Sequence, residues 1–172
     1  MQQQGDSQSA KAMLLDGLVF PENYGEEKNY FVNDAPIYLA LSKLTGDDSY
    51  LQLAVSTKGA PTVHSYYQCL ALEKLGRKAD ALALAEQLLS CGEAKLKNAA
   101  VNDYYGVGAP AYPPFGYDIV KAHTTDGLIL CAFAALAKQD TETAQALASR
   151  IEQLDSCHFF LYLLRKILRH EA

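Results

Sequence analysis

The chain has no tryptophan, no C-x-x-C pair, no dense basic cluster and almost no period-two alternation of apolar and polar residues. Each absence removes a class. Without alternation there is little to build a sheet from. With a formal net charge of -5 and lysines and arginines that are scattered except in the last turn, "LLRKILRH", a phosphate-binding face is not expected, and neither is a nucleic-acid partner. No stretch approaches the roughly 18 consecutive apolar residues read as a membrane span, so no membrane partner is expected. The start, "MQQQGDSQSA", lacks the basic head and apolar middle of a secretory signal, and a cytoplasmic location follows as the expectation. The four cysteines, Cys69, Cys91, Cys131 and Cys157, then read as reduced thiols packed between helices.

What is present is helical periodicity. From Pro61 onward Val63, Tyr67, Leu70, Ala71 and Leu75, then Ala81, Leu82, Leu84, Ala85, Leu88 and Leu89, recur at steps of three and four. Gly76 divides the two runs as a helix stop. The end of the first run, "LALEKLGR" at 70–77, repeats "LALSKLTG" at 39–46 with one inserted threonine before the glycine. Counting from the turn, Gly76 matches Gln139, Ala81 matches Ala144, Leu84 matches Leu147 and Ala85 matches Ala148, with Cys69 and Ala132 equally far before it. Small residues thus recur where paired helices approach closely. A unit too small to bury its own apolar face is written at least three times.

These signals predict one all-α domain over 1–172. Its parts are an unpaired helix at 9–21 closed by Pro21, a hairpin at 34–57, a second at 61–91, a long loop at 101–118, a third hairpin at 119–154 and a capping helix at 156–170. The loop, "VNDYYGVGAPAYPPFGYD", carries too many prolines and glycines to be helical. A loop of that length is either functional or packed down by its own side chains.

The hairpins resemble tetratricopeptide repeats, with a small residue in the first helix (Cys69, Ala132), Gly76 at a turn and alanine opening the second helix (Ala81, Ala144). They depart from that pattern at Ala85 and Ala148, where an aromatic is usual. They depart again at Leu88 and Ile151, where alanine is usual, and no proline closes these two units. The first two units are also spaced more closely than the usual repeat of about 34 residues. The segments "FPENYGEEKNYFVNDAPIYLALSKLTG", "HSYYQCLALEKLGRKADALALAEQLL" and "NDYYGVGAPAYPPFGYD" look like the C-terminal helical region of the bacterial domain-of-unknown-function family 5107. The resemblance implies a tetratricopeptide-like α-α superhelix following a sugar-binding-like β-sandwich. It would make this chain the C-terminal part of a larger protein. No sandwich lies in these residues, so no sugar chemistry carries over.

Candidate chemistry is sparse. In "GYDIVKAHTTDG" the pair His123 and Asp126, three apart on one helix face near Asp118, has the form of a base oriented by a carboxylate, and equally of a surface histidine near a helix start. Cys157 and His158 are adjacent, which does not aim both at one metal. "GVGAPAYPPFG" has no lysine after its glycines and no strand before them, so it does not read as a phosphate loop. No catalytic residue, metal or cofactor is therefore assigned.

The skewed aromatic set, 11 tyrosines without a tryptophan, supplies the binding candidates. Tyr66, Tyr67, Tyr104, Tyr105, Tyr112, Phe115 and Tyr117 gather in a first helix and the long loop. There they either line a binding surface or fill gaps between hairpins. The expectation is a non-catalytic interaction module that binds a protein partner, an upstream domain of its own polypeptide, a peptide or a second copy. The alternative is an α/α-toroid-like carbohydrate-processing or sugar-binding protein that uses the aromatic loop.

Overall fold

The computed structural model describes residues 6–19, 33–100 and 118–169. Among these the structure is all-α, with eight helices and no strand. The chain divides into two compact units, Met1–Ala85 and Glu86–Ala172. The expected loop at 101–118 lies outside the described residues except for Asp118, as does Pro21.

In the first unit α1 runs Ser7–Asp16, α2 Ala35–Thr45, α3 Ser49–Ser56 and α4 Ser65–Lys74, and α5 begins at Lys78. Helix α1 starts where the Asp6 carboxylate accepts the Ser9 N–H at 2.9 Å, which satisfies one orphan donor. It ends before the residues from which the sequence predicts its closure. It packs on α2 yet buries none of its own residues, leaving Met13 and Leu15 exposed. Pro36 sits in the first turn of α2, where its missing N–H costs nothing. Helices α2, α3 and α4 meet at Ala35, Leu51, Ala54 and Ala71, with Tyr38, Leu39, Val55, Tyr67 and Leu75 packed around them. Small side chains at the centre let the backbones approach, and the larger ones fill the rim.

Three helix ends share one device. The residue after the last turn is left-handed at Gly46 (φ 72°), Gly76 (φ 75°) and Gln139 (φ 62°). At Gly76 the Arg77 N–H donates to the Leu72 carbonyl at 2.8 Å and the Gly76 N–H to Glu73 at 3.0 Å. Counterparts recur at Gln139, where Asp140 N–H donates to Ala135 at 2.9 Å and Gln139 N–H to Leu136 at 2.9 Å. The shift from 72 to 135, from 76 to 139 and from 77 to 140 is the same. It is also the shift that pairs the buried alanines 81 with 144 and 85 with 148. Six-to-one bonds of this kind satisfy the carbonyls that a helix end leaves open.

The second unit holds the end of α5, which closes at Lys97, with α6 over Ile119–Ala137, α7 over Thr141–Leu154 and α8 over Phe159–Leu168. Helix α6 is the central rod. Every residue from Gly127 to Ala137 is buried except Leu130, and Phe133 is fully enclosed, edge-on to Phe160 with ring centroids 6.4 Å apart. Helix α6 is long and apolar enough to cross a membrane by length and composition alone, although it is not an unbroken apolar run. Its apolar character is used inside the unit, packed by α7 and α8, and its charged residues Lys121 and Asp126 fall in its first half. Helix α7 turns Ala144, Ala148 and Ile151 inward, and α8 does the same with Leu161 and Leu164. Where α5 passes α6, Gly92 and Gly127 lie opposite each other, so close that side chains on either would collide.

All four cysteines are free. Cys69 and Cys131 are buried and Cys91 is half-buried, as packing residues should be, but Cys157 is exposed, so packing does not explain it. It precedes α8 in the short connection after Asp155.

Candidate functional site

Of the seven aromatic candidates, Tyr66 and Tyr67 lie within the described residues; Tyr104, Tyr105, Tyr112, Phe115 and Tyr117 do not. Tyr66 and Tyr67 stand edge to face, with centroids 5.3 Å apart and planes at 71°. Tyr66 is buried, and burial pushes its phenol up to about 12. Tyr67 is half-buried against the α2–α3–α4 core, and its phenol is also raised by burial. Both rings spend most of their surface on packing.

Beside them stands a residue that sequence reasoning passed over. Gln68 on α4 is 6% exposed, and its amide bridges three segments. Its Oε1 accepts from Asn33 Nδ2 at 3.0 Å, and its Nε2 donates to the Ala54 carbonyl at 3.2 Å and the Thr57 carbonyl at 2.9 Å. Asn33 Oδ1 in turn accepts the Ala35 N–H at 3.0 Å. The amide thus ties the end of α3 and the start of α2 to α4. A polar residue in a run of helix formers was the only available signal, because its partners lie 11 to 35 residues away.

In the second unit the cluster singled out as possible acid–base chemistry is rearranged. Asp118 caps α6, accepting the Lys121 N–H at 2.9 Å. His123 places Nδ1 3.1 Å from the Ala99 carbonyl oxygen. Asp126 faces elsewhere: Oδ2 takes Lys95 Nζ at 3.1 Å, and Oδ1 lies 3.6 Å from His158 Nε2. The partner that the fold brings to Asp126 is therefore His158, not His123. His158 is the N-cap of α8, and its Nδ1 accepts the Phe160 N–H at 3.3 Å. That bond puts the ring proton on Nε2, on the side of Asp126. At 3.6 Å the two are an electrostatic pair rather than a hydrogen bond.

Asp118, Lys121, Ala122, Thr125, Asp126, Asp155 and His158 line a cleft of about 520 Å³. Its carboxylates are occupied. Asp126 is held by a lysine and a histidine, Asp118 by a helix start, and Asp155 Oδ1 accepts the Cys157 N–H at 3.1 Å. Among the described residues no group of three or more histidine, cysteine and carboxylate side chains is arranged to hold a metal ion.

The most unusual surface of the second unit is on α8. Leu161 and Leu164 are buried, yet Phe159 is 72% and Tyr162 69% exposed. Spacing of three, four and three residues sets Phe159, Tyr162, Lys166 and Arg169 along one stripe of the helix, opposite Leu161, Leu164 and Leu168. Helix α8 carries no acidic residue. Its Arg165 pairs with Glu152 of α7. A groove of about 200 Å³ beside it is lined by Gln145, Ala148, Ser149, Arg165, Leu168 and Arg169, again without a carboxylate.

Comparison with protein-family models, curated proteins and solved structures finds no match to this chain.

Proposed function

We propose that this chain is a non-catalytic, tetratricopeptide-like helical-repeat module whose work is to bind a partner domain, a peptide or a second copy of itself. The observation that carries the reading is the aromatic pair on α8. Phe159 meets Phe160 edge-on with centroids 5.3 Å apart, yet it and Tyr162 leave most of their surface in water on a helix whose other face is already buried, and aromatic residues are the type that interfaces use as anchors. The recurrence of one turn geometry at Gly76 and Gln139, with alanines at matching positions beyond it, supports the repeat character. Packing of small residues between neighbouring helices fits the same plan.

The reading is tested by light scattering and by co-elution with candidate partners, using Phe159→Ala and Tyr162→Ala variants. Association that weakens in those variants supports it. Turnover of a glycoside that disappears in Asp126→Asn would overturn it in favour of a carbohydrate-processing enzyme.

A further inference from the structure

We infer that the α8 stripe docks an acidic, amphipathic peptide segment, with its apolar side chains on Phe159 and Tyr162 and its carboxylates on Lys166, Arg169 and the α7–α8 groove. This rests on the reading of the chain as an interaction module and names the chemistry of its partner.

Three observations converge. The first is order along the stripe: two exposed aromatics occupy its N-terminal half and two cations its C-terminal half. Basic residues in a last turn complement the helix dipole, which accounts for Lys166 and Arg169 taken alone. The dipole does not account for rings left in water one turn earlier on the same line.

The second is charge balance. Arg165 is already answered by Glu152, whereas Lys166 and Arg169 have no carboxylate partner among the described residues. The groove beside them offers the Arg169 guanidinium and the Gln145 amide, since Arg165 is taken by Glu152 and the Ser149 hydroxyl donates to the Gln145 carbonyl at 3.1 Å. Guanidinium forks and amide donors are the groups that hold carboxylates in paired geometry.

The third concerns which anion fits. A helix of 10 residues is about 15 Å long, enough for two to three turns of a partner segment. A membrane or a nucleic acid would approach over a far wider area and meet the net charge of -5. A narrow peptide meets only the local cations, because charges beyond about 8 Å are screened at physiological salt.

The test uses the intact chain and a fluorescein-labelled helical peptide of about twelve residues, with leucines on one face and glutamates on the other. Fluorescence anisotropy should show salt-sensitive binding. Phe159→Ala and Tyr162→Ala should each weaken it about ten-fold, with the thermal midpoint unchanged in Tyr162→Ala and lowered only slightly in Phe159→Ala, which also loses the edge-on contact with Phe160. Lys166→Glu with Arg169→Glu should weaken it at least as much and should let a lysine-for-glutamate version of the peptide bind instead. Absence of binding, equal binding to the charge-reversed chain, or a preference for phosphatidylserine vesicles over the peptide overturns the inference. A dimer or partner complex that the four substitutions leave intact would also overturn it while leaving the interaction-module reading standing.

Discussion

Gly92 and Gly127 face each other where α5 crosses α6. A Cβ on Gly92 would lie 2.6 Å from Cys131 Sγ and 2.9 Å from the Gly127 carbonyl oxygen, and a Cβ on Gly127 would lie 2.8 Å from Leu96 Cγ. Each distance is shorter than van der Waals contact allows. Alanine at either site would gain about 1 kcal/mol of helix propensity over glycine but incur about 1–3 kcal/mol of overpacking. Gly92→Ala is therefore expected to destabilise in urea unfolding. Cys131→Ala should not fully rescue it, because the Gly127 backbone stays in the way. A Gly92→Ala chain at least as stable as the parent would disprove the close crossing.

The turns at Gly76 and Gln139 predict opposite responses. Both residues are left-handed, and the space beside Gly76 is open, so Gly76→Ala meets only backbone strain of about 1 kcal/mol. Gln139 already bears that strain. Gln139→Gly should therefore stabilise by about 0.5–1 kcal/mol, read as a rise in the urea midpoint with an unchanged slope.

Gln68→Leu keeps the volume and removes three hydrogen bonds, leaving the Ala54 carbonyl buried and unanswered. A loss of about 2–3 kcal/mol is expected. Amide exchange at Ala35, whose N–H is held by the Asn33 that Gln68 positions, should quicken as well. A neutral effect on both would mean that the amide does not tie these helices together.

Acid should act in two windows. His64 is held below its ordinary 6.5, first by burial, so the unfolded chain takes up its proton before the folded one. This contribution is complete above 6.5 and is lost as the pH falls toward the folded-state value. A histidine titration by NMR should place its midpoint below 6.5. Asp140 is held below 3.8 by hydrogen bonds from Thr143, and its contribution is present above 3.8 and lost as the pH falls through its folded-state value. Asp140→Asn keeps an accepting oxygen, so the stability gap between parent and variant should close in that range.

Alkali and thiol reagents should separate buried from exposed groups. Burial pushes the Cys69 thiol up to about 12, and its Sγ lies 3.5 Å from the Ala81 carbonyl oxygen. A thiol reagent at mildly alkaline pH should label the exposed Cys157 first and Cys69 last, as peptide mapping would show. Tyr66, raised for the same reason, favours the neutral fold below 10.0. The stability it contributes falls as the pH rises past that value, a loss that Tyr66→Phe should reduce.

Local rules made much of the helical plan legible. The turns at Gly46 and Gly76 follow from glycine's freedom at positive φ, and the count that set Gln139 against Gly76 located a third turn of that kind without a glycine to mark it. The alternation of apolar steps that predicted the helices depends on neighbours three and four residues away, which a sequence displays directly. The isolated glycines at 92 and 127 also carried a hint that went unread, since glycine inside a helix weakens it unless something needs the space.

What only the tertiary structure decided are the pairings between distant residues. Asp126 could be placed on a face with His123 by counting, but which histidine it meets depends on how the connection after α7 brings His158 back to α6. Gln68 reads as one more helical polar residue until Asn33, Ala54 and Thr57 are set around it. Sequence by itself determined where the rods begin and stop, because those choices are made by short-range hydrogen bonds and backbone freedom. Which polar groups share a site, and which rings of α8 remain in water, were decided by packing over long separations, where one helix's register against another cannot be counted from the chain.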